Sequence, residues 1–318
     1  MGKCTALVIL FLGLNHLSDS RPVAEQEKHS ITLTFVGDVM LARGVGRKML
    51  ENGIDYPFAK VKPILKNSDI CFGNLEGCLV GNTVTGSSKA FIFRSPPRFG
   101  QALRNVGFDV MSLANNHMFD GGRQGVVSTI ETLENLAITP VGAGRNRSEA
   151  RQPRFFEANG WKVAFFAYCD VFNVPGSAAT FNLPGVATVE PIAEMVEDIK
   201  AAKVQADLVV VSYHWGREYQ IGKPNQRQQL IAAKAKQAGA DIVVGHHPHV
   251  LQALEIDKDW KVVAYSLGNF VFDNHKPTRA RTVILQITIE PNGGKTINLL
   301  ACQIIACQPR RISIGLPK

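Results

Sequence analysis

Charge is scarce in this chain: Asp, Glu, Lys and Arg make up only 19% of its 318 residues. With no heptad pattern and no repeat of 20 to 50 residues, coiled-coil and solenoid architectures are excluded. The 28 glycines and 16 prolines follow no period, which excludes collagen. The apolar run near the N-terminus, Ala6 to Leu14, falls short of the ~20 residues needed to cross a bilayer. Cysteine is sparse as well, with six residues at positions 4, 71, 78, 169, 302 and 307. Removal of a leader carrying Cys4 leaves five, an odd number that does not suit a complete disulfide framework. Cys71 and Cys169 lie inside strand-like apolar runs and are expected to be small buried hydrophobes. Cys78 and the pair Cys302 and Cys307 lack CxxC spacing, so no structural zinc site is expected there.

What the chain does have is enough apolar residue, 45%, to bury an ordinary core. Lys and Arg outnumber Asp and Glu by 35 to 27, a formal charge of +8. The excess is uneven: between Lys200 and Lys236 seven basic residues face only Asp207 and Glu218. Such a surface favours an anionic partner. Residues 1–29 read as a leader, in which the Ala6–Leu14 run fits a signal-peptide core of roughly 7 to 15 residues, although Lys3 alone is a thin positive region. Export, with an extracytoplasmic or membrane-associated location, is the expectation; an amphipathic or unstructured leader on a cytosolic protein is the alternative. No Pro-, Gly- and Ser-rich linker divides the remainder, so one domain is expected over residues 30–310, with 311–318 as a tail.

Short apolar, β-branched runs recur: Ile31–Val36, Asp69–Phe72, Asp109–Leu113, Val163–Tyr168, Leu208–Ser212, Asp241–Val244, Val262–Ser266 and Thr282–Ile289. Near-continuous apolar character over four to six residues predicts strands buried on both faces. Helical patterns fall at Pro57–Lys66, Pro97–Val106, Arg123–Leu136, Val189–Lys203 and Asn225–Ala238, with Gly107 and Gly239 suited to helix exits. The architecture is α/β, with layered sheets covered by helices.

The chemistry lies where these strands end. Asp38 follows the first, Asn74 and Glu76 the second, Asn116 and His117 the third; His214 and the run His246-His247-Pro248-His249 follow later ones. In an open α/β sheet, residues just past the carboxyl ends of the strands converge on one rim. Imidazoles, carboxylates and an amide together suit zinc, manganese or iron, whereas calcium alone would prefer oxygen ligands. Gly37, Gly73 and Gly245 are expected to remove bulk where the backbone turns beside these groups. Taken singly, Asp38 reads as a helix cap, Asn116-His117 as a turn and His214-Trp215 as a packed aromatic pair. Three histidines in four residues after a buried strand are harder to attribute to packing.

These residues carry a resemblance. Phe35-Val36-Gly37-Asp38-Val39-Met40, Asp69 to Glu76, Phe93-Arg94-Ser95-Pro96-Pro97, Ala114-Asn115-Asn116-His117, His214-Trp215-Gly216, Gly245 to Gln252 and Tyr265 to Phe270 occur in family order over residues 31–273. The chain resembles the poly-γ-glutamate capsule synthesis family (CapA or PgsA) of the calcineurin-like metallophosphoesterase superfamily. The resemblance implies a four-layer α/β/β/α sandwich of the metallophosphoesterase type, with a centre for one or two divalent ions at the rim. It implies Asp38, Glu76, Asn116, His214, His247 and His249 as ligands, with Glu76 suited to bridge two ions. It also implies His117 as general acid, and His246 and Asn74 as an alternative ligand or supporting groups. Arg94 would grip a substrate carboxylate or phosphate, or else form a surface salt bridge. Two departures stand out: Met40 replaces the histidine of the usual D-x-H, and Asn74-x-Glu76 replaces aspartates. The implied function is metal-dependent hydrolysis or transfer on an anionic polymer such as poly-γ-glutamate, without nucleic acid as a partner. The alternatives are a non-catalytic polymer-handling subunit beside a membrane-bound synthetase, and a plain metal-dependent phosphoesterase.

Overall fold

Strands with apolar residues on both faces must lie between two apolar layers, and the chain satisfies this by stacking one sheet on another. A computed structural model describes residues 27–81, 91–273, 276–303 and 310–313. The chain first lays down β1 (Ile31–Val39), β2 (Ile70–Leu75), β3 (Val110–Ser112) and β4 (Thr139–Val141). It then builds a second sheet from β5 (Arg154–Ala158), β6 (Trp161–Cys169), β7 (Leu208–His214), β8 (Ile242–His246), β9 (Leu254–Ile256) and β10 (Val262–Ala264). Finally it returns to the first sheet with β11 (Asn269–Val271), β12 (Arg281–Ile289), β13 (Lys295–Gln303) and β14 (Arg310–Ser313). The first sheet runs β14-β13-β12-β1-β2-β3-β4, and β11 also pairs with β1. The second runs β9-β10-β8-β7-β6-β5. At the centre of each sheet the strands are parallel: β1 with β2 and β11, and β7 with β6 and β8.

Alternation along β6 shows how the layers stack. Val163, Phe165, Ala167 and Cys169 join the same core as Phe35 and Phe72 of the first sheet, and Phe165 stacks on Phe72 with ring centroids 5.9 Å apart. Ala164, Phe166 and Tyr168 face the other way, packing with Met195, Ile199, Ile231 and Ala235 of helices Ile192–Lys203 and Gln226–Ala238. On the far side, Met49, Leu103, Val126, Ile130 and Leu133 of helices Arg43–Asn52, Gly100–Val106 and Gly122–Asn135 complete the larger core. The result is the expected α/β/β/α sandwich. Fully buried rings such as Phe35, Phe72 and Phe165 each contribute about 1.5–3 kcal/mol to holding it together.

Local signals explain most element ends. Gly107 and Gly239 close their helices in the left-handed conformation at φ 101° and 118°. Asn225 caps Gln226–Ala238 through a capping box with Gln228. The expected helix Pro57–Lys66 resolves into a short 3-10 turn, Tyr56–Phe58, and a helix Lys62–Lys66, because Pro63 cannot donate within a continuous helix. The expected start at Val189 moves to Ile192, since Glu190 precedes Pro191 and is pushed out of the helical region. Helix Arg43–Asn52 carried no sequence signal: it buries only Gly46 and Met49. Strands β4, β5, β9, β11, β13 and β14 likewise lie outside the expected runs.

Residues 1–26 of the leader lie outside the described residues, but Lys28 pairs with Asp207 at 2.6 Å and the His29 carbonyl accepts from Trp161 Nε1 at 2.7 Å. At the other end β14 pairs with β13 as the sheet's edge. Cys71, Cys78 and Cys169 are buried free thiols, whereas Cys307 and the side chain of Cys302 lie outside the described residues.

Candidate metal centre

The parallel strands of both sheets end at one rim, and the polar residues meet there. Asp38 is the penultimate residue of β1, Asn74 lies near the end of β2 with Glu76 just beyond, and His214 and His246 are the last residues of β7 and β8. All are buried. Asp38 is therefore no helix cap; the next helix is preceded by Ala42. Asp38 Oδ2 lies 3.3 Å from His249 Nδ1, and His249 Nε2 lies 3.5 Å from Glu76 Oε1. One ligand atom from each of Asp38, Glu76 and His249 falls within 4.8 Å of the other two. Beside this group, His214 Nε2 and Asn116 Oδ1 are 3.0 Å apart, and the His214 and His247 rings are 4.8 Å apart.

Asn74 links the two groups: its Nδ2 donates to Asp38 Oδ1 at 2.9 Å and lies 3.4 Å from His214 Nδ1. The contacts of Glu76 instead run to His249 and to His117 Nε2, the latter at 3.9 Å. The residue whose contacts span the two donor sets is thus Asn74. His246 sits behind Asp38, its Nδ1 3.3 Å from Oδ1 and its ring against Phe72. That arrangement makes it a support for the carboxylate, with His247 facing the other donors.

Several buried donors and acceptors lack hydrogen-bond partners: both Glu76 oxygens, both His246 nitrogens and His247 Nδ1. Unpaired buried polar atoms cost about 1–3 kcal/mol each, so their concentration here needs a compensating group. A divalent cation fits. Electrostatics agree: burial, aggravated by the charges of Asp38, Glu218 and Asp120, pushes the Glu76 carboxyl well above the carboxylate range. Burial alone would lower His249, but Glu76 and Asp38 outweigh it and raise the imidazole to about 10. Burial would also raise Asp38, yet the adjacent His246 and His249 imidazoles hold it well below its ordinary value. Burial and the neighbouring His249 depress His247 to about 3, and burial with His247 depresses His214. Without a cation the pocket gathers protons on the His249–Glu76 side and keeps His214 and His247 neutral, the form in which imidazole ligates.

Supporting residues emerge that the sequence did not single out. Asn269, opposite Asp38 across β1 and β11, accepts from His249 Nδ1 through its side-chain oxygen at 2.8 Å, which leaves Nε2 as the nitrogen available to a cation. Asp120 Oδ2 accepts from His117 Nδ1 at 2.8 Å and from the Phe93 N–H at 2.6 Å, while the Phe93 ring stacks on His117 at 3.8 Å. The only available signal was an acid three residues after His117. Asn115 anchors the turn, donating to the Leu75 carbonyl and accepting from the His117 N–H. Arg94 joins from the same side, its Nε donating to the Asp120 carbonyl at 2.7 Å. Met40, in place of the expected histidine, accepts from the Ala42 N–H and packs with Phe93 and Phe272.

The glycines beside the ligands act through close approach. A Cβ on Gly37 would meet the Gly268 carbonyl oxygen at 1.9 Å, and one on Gly245 the Tyr265 carbonyl oxygen at 2.0 Å. His247 and His249 themselves take positive φ, 93° and 56°, a strained conformation that tertiary contacts must hold.

A family model described as bacterial capsule synthesis protein PGA_cap matches residues 32–274. The chain belongs to this family. It is 36% identical to the capsule biosynthesis protein CapA of Bacillus anthracis over 93% of its own length and 73% of that protein. It is also 36% identical to the PGA biosynthesis protein CapA of Bacillus subtilis, over 83% and 69% respectively. Among solved structures it is similar to a phosphatase from Mycoplasma pneumoniae, with TM-score 0.54, 14% identity, and coverage of 86% of this chain and 94% of that one. It is similar too to the calcineurin-like phosphoesterase YfkN of Bacillus subtilis, with TM-score 0.50, 14% identity, and coverage of 87% and 91%. The capsule synthesis family thus carries a metallophosphoesterase-type sandwich in this chain.

Proposed function

We propose that this capsule synthesis protein is a divalent-metal-dependent hydrolase or transferase acting on an anionic polymer such as poly-γ-glutamate. The observation that carries the reading is the buried Asp38–Glu76–His249 group, with both Glu76 oxygens unpartnered, at the shared rim of two parallel sheets. Manganese, zinc or iron suits its mixture of nitrogen and oxygen donors. Asp38, Glu76 and His249 would hold one ion, and Asn116, His214 and His247 a second. A divalent ion bound there supplies a water acidified to a pKa of roughly 7 and polarises the carbonyl or phosphoryl oxygen under attack.

The remaining steps belong to the protein. His117 presents Nε2 to the site while Asp120 fixes Nδ1, so the ring is oriented to protonate a leaving group, a contribution of about 10²–10⁴ in rate. Phe93 covers one face of that ring. The chain's +8 charge favours association with an anionic polymer. The Ala6–Leu14 run supports export, and the relatives' names, which speak of capsule and PGA biosynthesis, support a role in polymer synthesis.

Occupation of Met40 by the Ala42 N–H removes one donor from the floor and favours a second reading, a polymer-handling subunit without catalysis. One experiment separates the two. Protein loaded with manganese or zinc is incubated with poly-γ-glutamate and, separately, with a chromogenic phosphoester, beside His117→Ala. Polymer shortened or transferred by the wild type and not by the variant supports catalysis. Polymer untouched by both metal-loaded proteins supports the subunit, and turnover of the phosphoester alone points to a phosphoesterase.

A further inference from the structure

The rim has a carboxylate that none of the buried groups uses. Glu218 lies on the loop leaving β7, four residues beyond His214, and is exposed. Its carboxylate and one nitrogen from each of His247 and His249 all lie within 4.8 Å of one another. Ligands around a tetrahedral ion with bonds of 2.0–2.2 Å stand about 3.4 Å apart, so small side-chain rotations close this set on a cation. His247 is 4% exposed, and its Nδ1 has no hydrogen-bond partner, a buried nitrogen left for something other than protein.

The loop is fixed where it must be for such a role. The Tyr219 N–H donates to the Pro248 carbonyl at 2.8 Å, tying the residue after Glu218 to the link between the two histidines. Tyr219, His247 and His249 all adopt positive φ at this junction, so three strained residues share one contact. Further along, the Gly222 N–H donates to the Leu251 carbonyl and the Ala253 N–H to the Gly222 carbonyl. The Arg279 guanidinium carbon lies 3.3 Å from the Tyr219 ring centroid and braces the loop from outside.

Charge supplies the reason for an added ligand. Among the described residues the floor offers Asp38 and Glu76 as anionic donors, buried Asp120 being engaged by His117 and the Phe93 N–H, and neutral Asn74 stands between Asp38 and His214. Two dications on two carboxylates leave an excess of positive charge in a desolvated pocket, which a third carboxylate from the solvent side reduces. We infer that Glu218 is a metal ligand that, with His247 and His249, extends the buried centre to its mouth. This rests on the metal-binding reading above. Because His249 belongs to both groups, the outer carboxylate completes the same centre and does not create a remote one.

The test measures binding, not turnover. Zinc affinity by chelator competition, metal content by elemental analysis and the visible spectrum of the cobalt-substituted protein are compared for wild type, Glu218→Gln, Asp38→Asn and, as a surface control, Glu197→Gln. Glu218→Gln is expected to weaken at least one bound equivalent by about tenfold or more and to change the cobalt spectrum, with Glu197→Gln matching wild type. Wild-type affinity and an unchanged spectrum in Glu218→Gln, while Asp38→Asn loses metal, would overturn this inference and leave the buried centre standing. A wild type that binds no zinc or cobalt would overturn both. Since Glu218 is exposed, the variant is expected to fold, and matching thermal melts of the metal-free proteins confirm it.

Discussion

Gly37→Ala is a severe test of how the first sheet positions Asp38. The added methyl would lie 1.9 Å from the Gly268 oxygen, 2.9 Å from its carbonyl carbon and 3.1 Å from the Leu267 oxygen. All three are backbone atoms, so no side-chain rotation relieves the clash and the segment entering β11 must move. That displacement breaks the bond from the Asp38 N–H to the Gly268 carbonyl, now 3.0 Å, in a fully buried place. Overpacking costs about 1–3 kcal/mol and an unsatisfied buried N–H another 1–3 kcal/mol. At roughly 2–4 °C per kcal/mol, the melting temperature falls by at least about 4 °C. Asn269, the next residue along, orients His249, so metal affinity falls as well. The control is Gly81→Ala, where a Cβ meets nothing within 4 Å and melting stays unchanged or rises slightly. Thermal scans with and without zinc, followed by circular dichroism, read both effects. A Gly37→Ala protein that melts with the wild type and binds zinc equally would refute the close-approach argument.

Other outcomes follow from the same geometry. His249 is raised to about 10 from its ordinary 6.5, so in the metal-free protein its stabilising contribution is full below pH 6.5 and disappears as pH rises through about 10. A cation must displace that proton, so metal affinity climbs with pH by up to about tenfold per unit for each proton released; chelator competition at several pH values checks this, and a flat profile contradicts it. Asp120→Asn keeps the shape beside His117 but removes the charge, and is expected to lower kcat by about 10²-fold with metal content intact; loss of metal would show a structural role instead. Asn74→Asp puts a carboxylate against Asp38, so the metal-free protein melts lower while zinc raises its melting temperature by more than in wild type, and differential scanning measures both.

Much of the site was legible because the relevant signals are local. An apolar run closing on a polar residue marks a strand end, and parallel strands bring such ends to one rim; this reading singled out Asp38, Glu76, Asn116, His214 and the His246–His249 run, while their assignment as ligands came from the family resemblance. Periodicity could not say which face of β6 meets which layer, since Val163 and Ala164, like Phe165 and Phe166, are apolar on both sides. Helix Arg43–Asn52 escaped because its stabilising contacts are few and its composition polar. Asp120, Asn269 and Glu218 escaped because an acid or amide has no role until its neighbours are known.

The sequence by itself determined the layered α/β class and the run of ligand-type side chains at strand ends, since each depends on residue chemistry and short-range spacing. Only the tertiary structure decided that Asn74 links the donor groups, that His246 supports Asp38 and that β14 closes the sheet. Burial and hydrogen-bond satisfaction are set by groups distant in the chain. Which polar atoms remain unpaired is therefore a property of the packed fold.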